Sequence, residues 1–229
     1  MFVKREKFSV YPKLVLDECV IIGIDSIIIV AIVSTFIGAV SSIQTAANLV
    51  SPLVPLYVVG TVVRDMEVLE LAPTITCVVL AGKVGSSIAG NLGTMRITEQ
   101  IDALEVMGIN SASYLVLPKI VGAMLMFPLL ISMSGFLGIT GGYCSAVFTG
   151  VLSSEDYIMG IRNGFQPYNV MLALVKSFVF AFLIASISAY QGFFTKGGAL
   201  EVGKSSTTAV TNSCIATLVA DYLLAELFL

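Results

Sequence analysis

Five long stretches of this sequence carry only one or two charged side chains each, and that feature limits the fold more than any other. Residues 23–46, 72–92, 114–148, 170–190 and 210–228 are mostly apolar, interrupted by isolated ionisable side chains such as Asp25, Lys83, Lys119, Lys176 and Asp221. A helix needs about 20 predominantly apolar residues to cross a hydrocarbon core about 30 Å thick, and each stretch is long enough or nearly so. With 57% hydrophobic and 12% charged residues in 229, the chain holds more apolar surface than a soluble domain of this size buries. The expected fold is an all-α integral membrane protein, a single domain over residues 1–229 with five transmembrane helices. The third stretch is too long for one upright helix and contains Pro128 and several glycines, so it is expected to be tilted, kinked or re-entrant at its far end. Pro73 falls in the first turn of the second, where a missing N–H costs little.

Ahead of the first span, Lys4, Arg5 and Lys7 alternate with Phe2, Val3, Phe8, Val10 and Tyr11. This pattern suits an amphipathic helix over residues 1–18 lying at the headgroup level. No apolar core followed by a small-residue cleavage site marks it as a removable signal peptide. Five spans put the termini on opposite sides. Lys4, Arg5, Lys7, Lys13, Arg96, Lys119, Lys196 and Lys204 fall on one side and only Arg64 and Arg162 on the other, so the expected topology is N-terminus in, C-terminus out.

Several function classes drop out on composition. The net charge of −3 and the scattered Lys and Arg offer no basic face for a phosphate backbone, so nucleic acid is not an expected partner. Cys19, Cys77, Cys144 and Cys214 stand singly in apolar sequence, without the spacing of metal or redox sites, and read as small buried hydrophobes. The chain has no His, and its carboxylates are too scattered to name an acid–base pair, so no catalytic residue and no metal site are assigned. Residues 198–205 match the phosphate-binding pattern G-x-x-x-x-G-K-[ST] letter for letter. They fall in a turn between two spans, with no preceding strand and no acidic Mg²⁺ partner, and the pattern needs that context to work. No cofactor is therefore expected in this chain, and any ATP and Mg²⁺ would be bound by another polypeptide.

Three other patterns carry weight. In the second span Gly82, Ser86 and Gly90 form one row of small residues and Gly85, Ala89 and Gly93 a second beside it, allowing close helix packing within the chain or across a homodimer. Gly138 and Gly142 repeat the motif in the third. Ionisable residues inside a membrane mark candidate sites by default: here Lys83, Lys176 and Asp221, with Glu70 at the outer mouth of the second span. Finally, residues 96–107 read as a short cytoplasmic amphipathic helix. Thr98 is its expected cap and Gly108 its stop, with Ile97, Ile101, Leu104 and Met107 opposite Glu99, Asp102 and Glu105. Such a helix could dock in a groove of a partner.

The runs at residues 81–86 (Ala-Gly-Lys-Val-Gly-Ser) and 92–108, with 191–193 and 203–213, resemble the MlaE permease family over nearly the whole chain. The resemblance implies a homodimeric permease of an ATP-driven transporter that moves phospholipid between the inner and outer membranes of a bacterium and maintains lipid asymmetry. It implies residence in the inner membrane, cytoplasmic ABC ATPase subunits, and an MCE-domain protein on the periplasmic side. The helix from Arg96 to Met107 then corresponds to the coupling helix that meets the ATPase. Leu69, Glu70, Leu71, Ala72 and Pro73 stand where the family carries Arg-Glu-Leu-Gly-Pro at the mouth of the lipid cavity. Leu69 replaces the arginine, so the role of that guanidinium is lost here unless Arg64 or Lys83 takes it over. The rival readings are a membrane-embedded lipid-modifying enzyme and a secondary transporter; the first lacks a nucleophile with a base, and the second lacks visible internal repeats.

Overall fold

The computed structural model describes residues 11–49 and 55–228, and every regular element among them is a helix. Five helical runs are long and apolar enough to cross a membrane: Tyr11–Asn48, Tyr57–Ile97, Ser111–Phe148, Pro167–Phe193 and Ala199–Phe228. All five expected spans are present, and all are longer than the apolar stretches that revealed them.

The first run consists of α1 (Tyr11–Ile22), a 3₁₀ turn at Ile24–Ser26, and α2 (Ile27–Asn48). The expected interfacial helix over 1–18 thus corresponds, within the described residues, to α1; residues 1–10 lie outside them. The second run begins at Tyr57, well before residue 72. It comprises α3 (Tyr57–Met66), a π-helical stretch at Glu67–Ile75, α4 (Thr76–Leu80), a second π-helical stretch at Ala81–Gly85, and α5 (Ser86–Ile97). Pro73 is therefore inside a continuous helix, not in its first turn. It offers no N–H to the turn before it, and the wider π register there accommodates the break. The short α6 (Gln100–Val106) leads to α7 (Ser111–Phe148), an unbroken 38-residue helix containing Pro118 and Pro128, so the third span is not re-entrant. Then come α8 (Ser154–Arg162), α9 (Pro167–Phe193) and α10 (Ala199–Phe228). The phosphate-loop lookalike is not a turn: all of it beyond Gly198 forms the first turns of α10.

The chain gathers into two compact units. One holds the described parts of Met1–Ser26, Cys77–Pro128 and Ser177–Leu229, the other those of Ile27–Thr76 and Leu129–Lys176.

In the second unit α2 turns small and hydroxyl residues inward, at Ser34, Gly38, Ser41, Ser42 and Ala46. Its large side chains point outward, Ile28 and Phe36 being 72% and 68% exposed. That inverted amphipathicity suits a lipid solvent, where close backbone packing replaces hydrophobic drive. Gly38 lies directly on the Gly138 carbonyl and Gly141 on that of Thr35, so α2 and α7 cross with backbones touching. Gly142, flanked by the Ser42 and Tyr157 hydroxyls, continues the row, and the small-residue expectation for the third span is met. On α3 and α8, Gly60 and Gly160 face each other, and Thr61 Oγ1 donates to the Gly160 carbonyl at 2.9 Å. Ala46, Val59, Val63, Ala146, Leu152 and Tyr157 close the core of this unit.

In the first unit α1 lies along the start of α7. The Tyr11 and Ser113 hydroxyls meet at 3.1 Å, Lys119 Nζ bonds Glu18 Oε1 at 2.5 Å, and Gly122 makes room for Glu18. The small rows of the second span divide. Gly85 abuts Ser188 of α9, Ala89 abuts Gly192 of α9, and Gly93 abuts Val202 of α10. In the other row, Gly82 has open space where a Cβ would stand, Ser86 donates back to the Gly82 carbonyl at 2.5 Å, and Gly90 reaches Ser206 only at ordinary van der Waals distance. One row is thus the intrachain seam and the other is not. Of the cysteines Cys77 alone is fully buried, and Cys144 is exposed.

Candidate functional site

Membrane-embedded charges need partners, because a bare ion in low dielectric is costly. Lys176, fully buried on α9, donates to Glu70 Oε1 at 2.9 Å and to the Leu69 carbonyl at 3.1 Å. Although 106 positions apart in sequence, Glu70 and Lys176 are joined by the fold. Leu69 contributes its carbonyl, not its side chain. Glu70 keeps 45% of its side chain exposed, so the pair presents an accessible carboxylate over a hidden ammonium. Both Glu70 and Lys83 stand in the two π-helical stretches, a register shift that often marks functional positions.

Arg64 and Lys83 both have partners of their own. Arg64 is 3% exposed and fully engaged: it pairs with Asp65 at 2.8 Å, donates to the carbonyls of Ile161 and Asn163 at 2.9 and 2.7 Å, and lies over the Phe165 ring. It closes the C-terminal end of α8, where unsatisfied carbonyls favour a cation. Lys83 donates to the main-chain carbonyl of Asp25. The cation beside Glu70 is Lys176.

The same unit holds an apolar cleft of about 630 Å³ bounded by Phe36, Ile37, Val40, Val62, Met66 and Leu71, within the roughly 300–1,000 Å³ range of ligand clefts. Behind its wall Glu67, 1% exposed, accepts from Ser41 Oγ at 3.2 Å and rests against Gly138. Arg64 and Glu67 precede the apolar stretch at 72–92, yet both lie in helix. The signal that would have found them is the helical recurrence of Gly60, Val63, Arg64 and Glu67, which all turn inward. Tyr157 is part of the same network, its hydroxyl donating to the Ile139 carbonyl at 3.2 Å and meeting Ser42 at 3.4 Å. Burial pushes its pKa above the ordinary phenol value, with the Ser42 hydroxyl acting the other way, so at neutral pH it remains a donor.

In the first unit the segment after α5 folds into a knuckle. Thr98 does not cap α6: its hydroxyl donates back to Thr94 at 2.8 Å and ends α5. Glu99 makes the turn at φ 58°, a left-handed conformation that side chains rarely adopt. Gly108, at φ +81°, stops α6 as expected. Its N–H bonds the Glu105 carbonyl at 2.9 Å and that of Ile109 the Leu104 carbonyl at 3.0 Å, the paired bonds of a Schellman ending. Arg96 holds Asp102 at 2.6 Å, and Ser111 donates to Glu105 at 2.7 Å. The apolar stripe does not face outward as a whole: Ile101 is fully buried and Leu104 half-buried. What α6 presents is Val106 and Met107, 89% and 66% exposed, beside Glu99, Asp102 and Glu105. Asp221, half-buried on α10, belongs to this unit too.

Together these features define a multi-pass helical membrane protein with paired charges inside its spans and a short helical knuckle between two of them. Residues 15–227 match the model of the family described as Permease MlaE. A probable ABC transporter permease protein of Rickettsia bellii is 37% identical over 218 residues, covering 95% of this chain and 84% of its own length. One from Synechocystis is 36% identical, with 93% and 80% covered. Protein TRIGALACTOSYLDIACYLGLYCEROL 1, chloroplastic, of Arabidopsis thaliana is 32% identical, with 90% and 59% covered. The chain belongs to the MlaE permease family and is a transporter permease, not a catalytic enzyme.

Proposed function

We propose that the chain is the membrane subunit of an ATP-driven phospholipid transporter in a bacterial inner membrane, oriented with its N-terminus inside and its C-terminus outside. Two copies pair so that the apolar cleft and the Glu70–Lys176 site of each contribute to one lipid cavity. Acyl chains lie against Phe36, Val40 and Leu71, and the headgroup meets Glu70. A separate ATPase, which binds the ATP and Mg²⁺, engages the knuckle at Arg96–Met107, and an MCE-domain protein receives lipid on the periplasmic side. The family membership supports this reading, and the Arabidopsis relative bears the name of a glycerolipid.

The observation that carries it is the knuckle. A helix that starts at a left-handed residue, ends at a glycine stop and is tied through Asp102 to α5 and through Glu105 to α7 is suited to pass a partner's push on to both helices. A motor can bias lipid affinity only by favouring one conformation over another, and an exposed element tied to two helices is the means.

Val106→Arg with Met107→Arg alters only exposed side chains. The account expects loss of ATPase co-purification and of lipid-stimulated ATP hydrolysis, with the permease itself normally folded; retention of both would refute the assignment.

A further inference from the structure

A second charged recess lies in the first unit, apart from Glu70. It measures about 110 Å³. At ~30 Å³ per water molecule that is space for roughly three or four waters, enough for a small polar group and not for an acyl chain. Lys119 and Glu18 line it but satisfy each other at 2.5 Å. Lys83 and Asp25 do not. Lys83 gives an N–H to the main-chain carbonyl of Asp25, which leaves an ammonium with donors to spare. Among the described residues the Asp25 carboxylate makes no ion pair, and it is exposed. Ser87 and Asn91, both exposed, form the mouth, with Ile21 and Val84 as apolar wall.

The arrangement is unusual for an apolar span. Lys83 stands 14 residues before the end of α5, about 20 Å along a helix rising 1.5 Å per residue, and Asp25 meets it from the 3₁₀ turn between α1 and α2. An opposite pair placed only for packing closes on itself, as Glu18 and Lys119 do. Here a cation and an anion share one recess without pairing, flanked by aliphatic side chains. The complementary ligand is an amphiphile whose polar end carries both signs: phosphate toward Lys83 and Asn91, amine toward Asp25.

We propose that this recess is a second lipid site, taking the phosphate-and-amine headgroup of a zwitterionic phospholipid. The proposal rests on the phospholipid reading above and adds a station distinct from the Glu70 cavity.

The test uses the full chain in phosphatidylglycerol nanodiscs doped with a phosphatidylethanolamine bearing a diazirine on the first acyl carbons, with adducts mapped by mass spectrometry. Adducts are expected on residues 18–25 and 84–91. They should fall at least tenfold in Lys83→Met and in Asn91→Phe, which blocks the mouth from an exposed position, and return in Lys83→Arg. Asp25→Asn should weaken labelling by phosphatidylethanolamine more than by phosphatidylglycerol. Unchanged labelling in both Lys83→Met and Asn91→Phe, equal labelling by a photoreactive diacylglycerol, or displacement by inorganic phosphate would each overturn the proposal. Adducts confined to the helices around Glu70 would overturn this recess alone; no phospholipid adduct anywhere would overturn the wider reading with it.

Discussion

Single residues carry two kinds of constraint in this chain, contact and charge. At the crossing of α2 and α7 a methyl group on Gly38 would overlap the Gly138 carbonyl. Gly38→Ala should cost at or above the top of the roughly 1–3 kcal/mol range for overpacking, seen as a lower thermal midpoint in detergent. Gly82→Ala, with nothing near the added methyl, should be neutral or stabilising by about 0.5–1 kcal/mol. Equal losses at both positions would contradict the assignment of the packing seams. For the buried pair, Glu70→Leu strips the carboxylate from fully buried Lys176 and should destabilise by about 3–5 kcal/mol, whereas Glu70→Leu with Lys176→Met restores most of that loss. If Glu70 also meets lipid, the double variant should fold yet carry less co-purifying phospholipid. The ionisable residues were legible one by one, because charge inside an apolar run stands out. Their pairing was not, since Glu70 and Lys176 are 106 positions apart and nothing local joins them.

At the scale of elements, hydropathy located each span but underestimated its length. Residues 57–71 contain Arg64, Asp65, Glu67 and Glu70, which lower mean hydropathy and keep the segment out of the apolar stretch, although inward packing of Arg64 and Glu67 makes it helical. The cap of α6 was misread for a different reason: Thr98 has the right chemistry, but back-bonding to Thr94 competes for its hydroxyl. The left-handed residue is instead Glu99. A non-glycine there costs roughly 1–2 kcal/mol, so Glu99→Gly should raise the stability of the knuckle and Glu99→Val lower it. Hydrogen exchange of amides 100–109 measures both. Gly108→Val, at φ +81°, should unfasten the Schellman ending and speed the same exchange. If Glu99→Gly slowed transport while stabilising the fold, the strain itself would belong to coupling.

At the scale of the whole molecule, the sequence showed an all-helical membrane chain with five spans, and the motif runs showed its family, because both signals are local. Packing was visible only in part: of two adjacent rows of small residues, periodicity could not say which one the fold would bury. The central claim concerns sidedness, that the knuckle faces the cytoplasm where a motor grips it. A single Met107→Cys in a chain whose four native cysteines are replaced by serine tests it most directly, using a membrane-impermeant maleimide. The account predicts labelling in inverted membrane vesicles, none in intact cells, and protection when the ATPase is bound. Labelling from outside intact cells would contradict it.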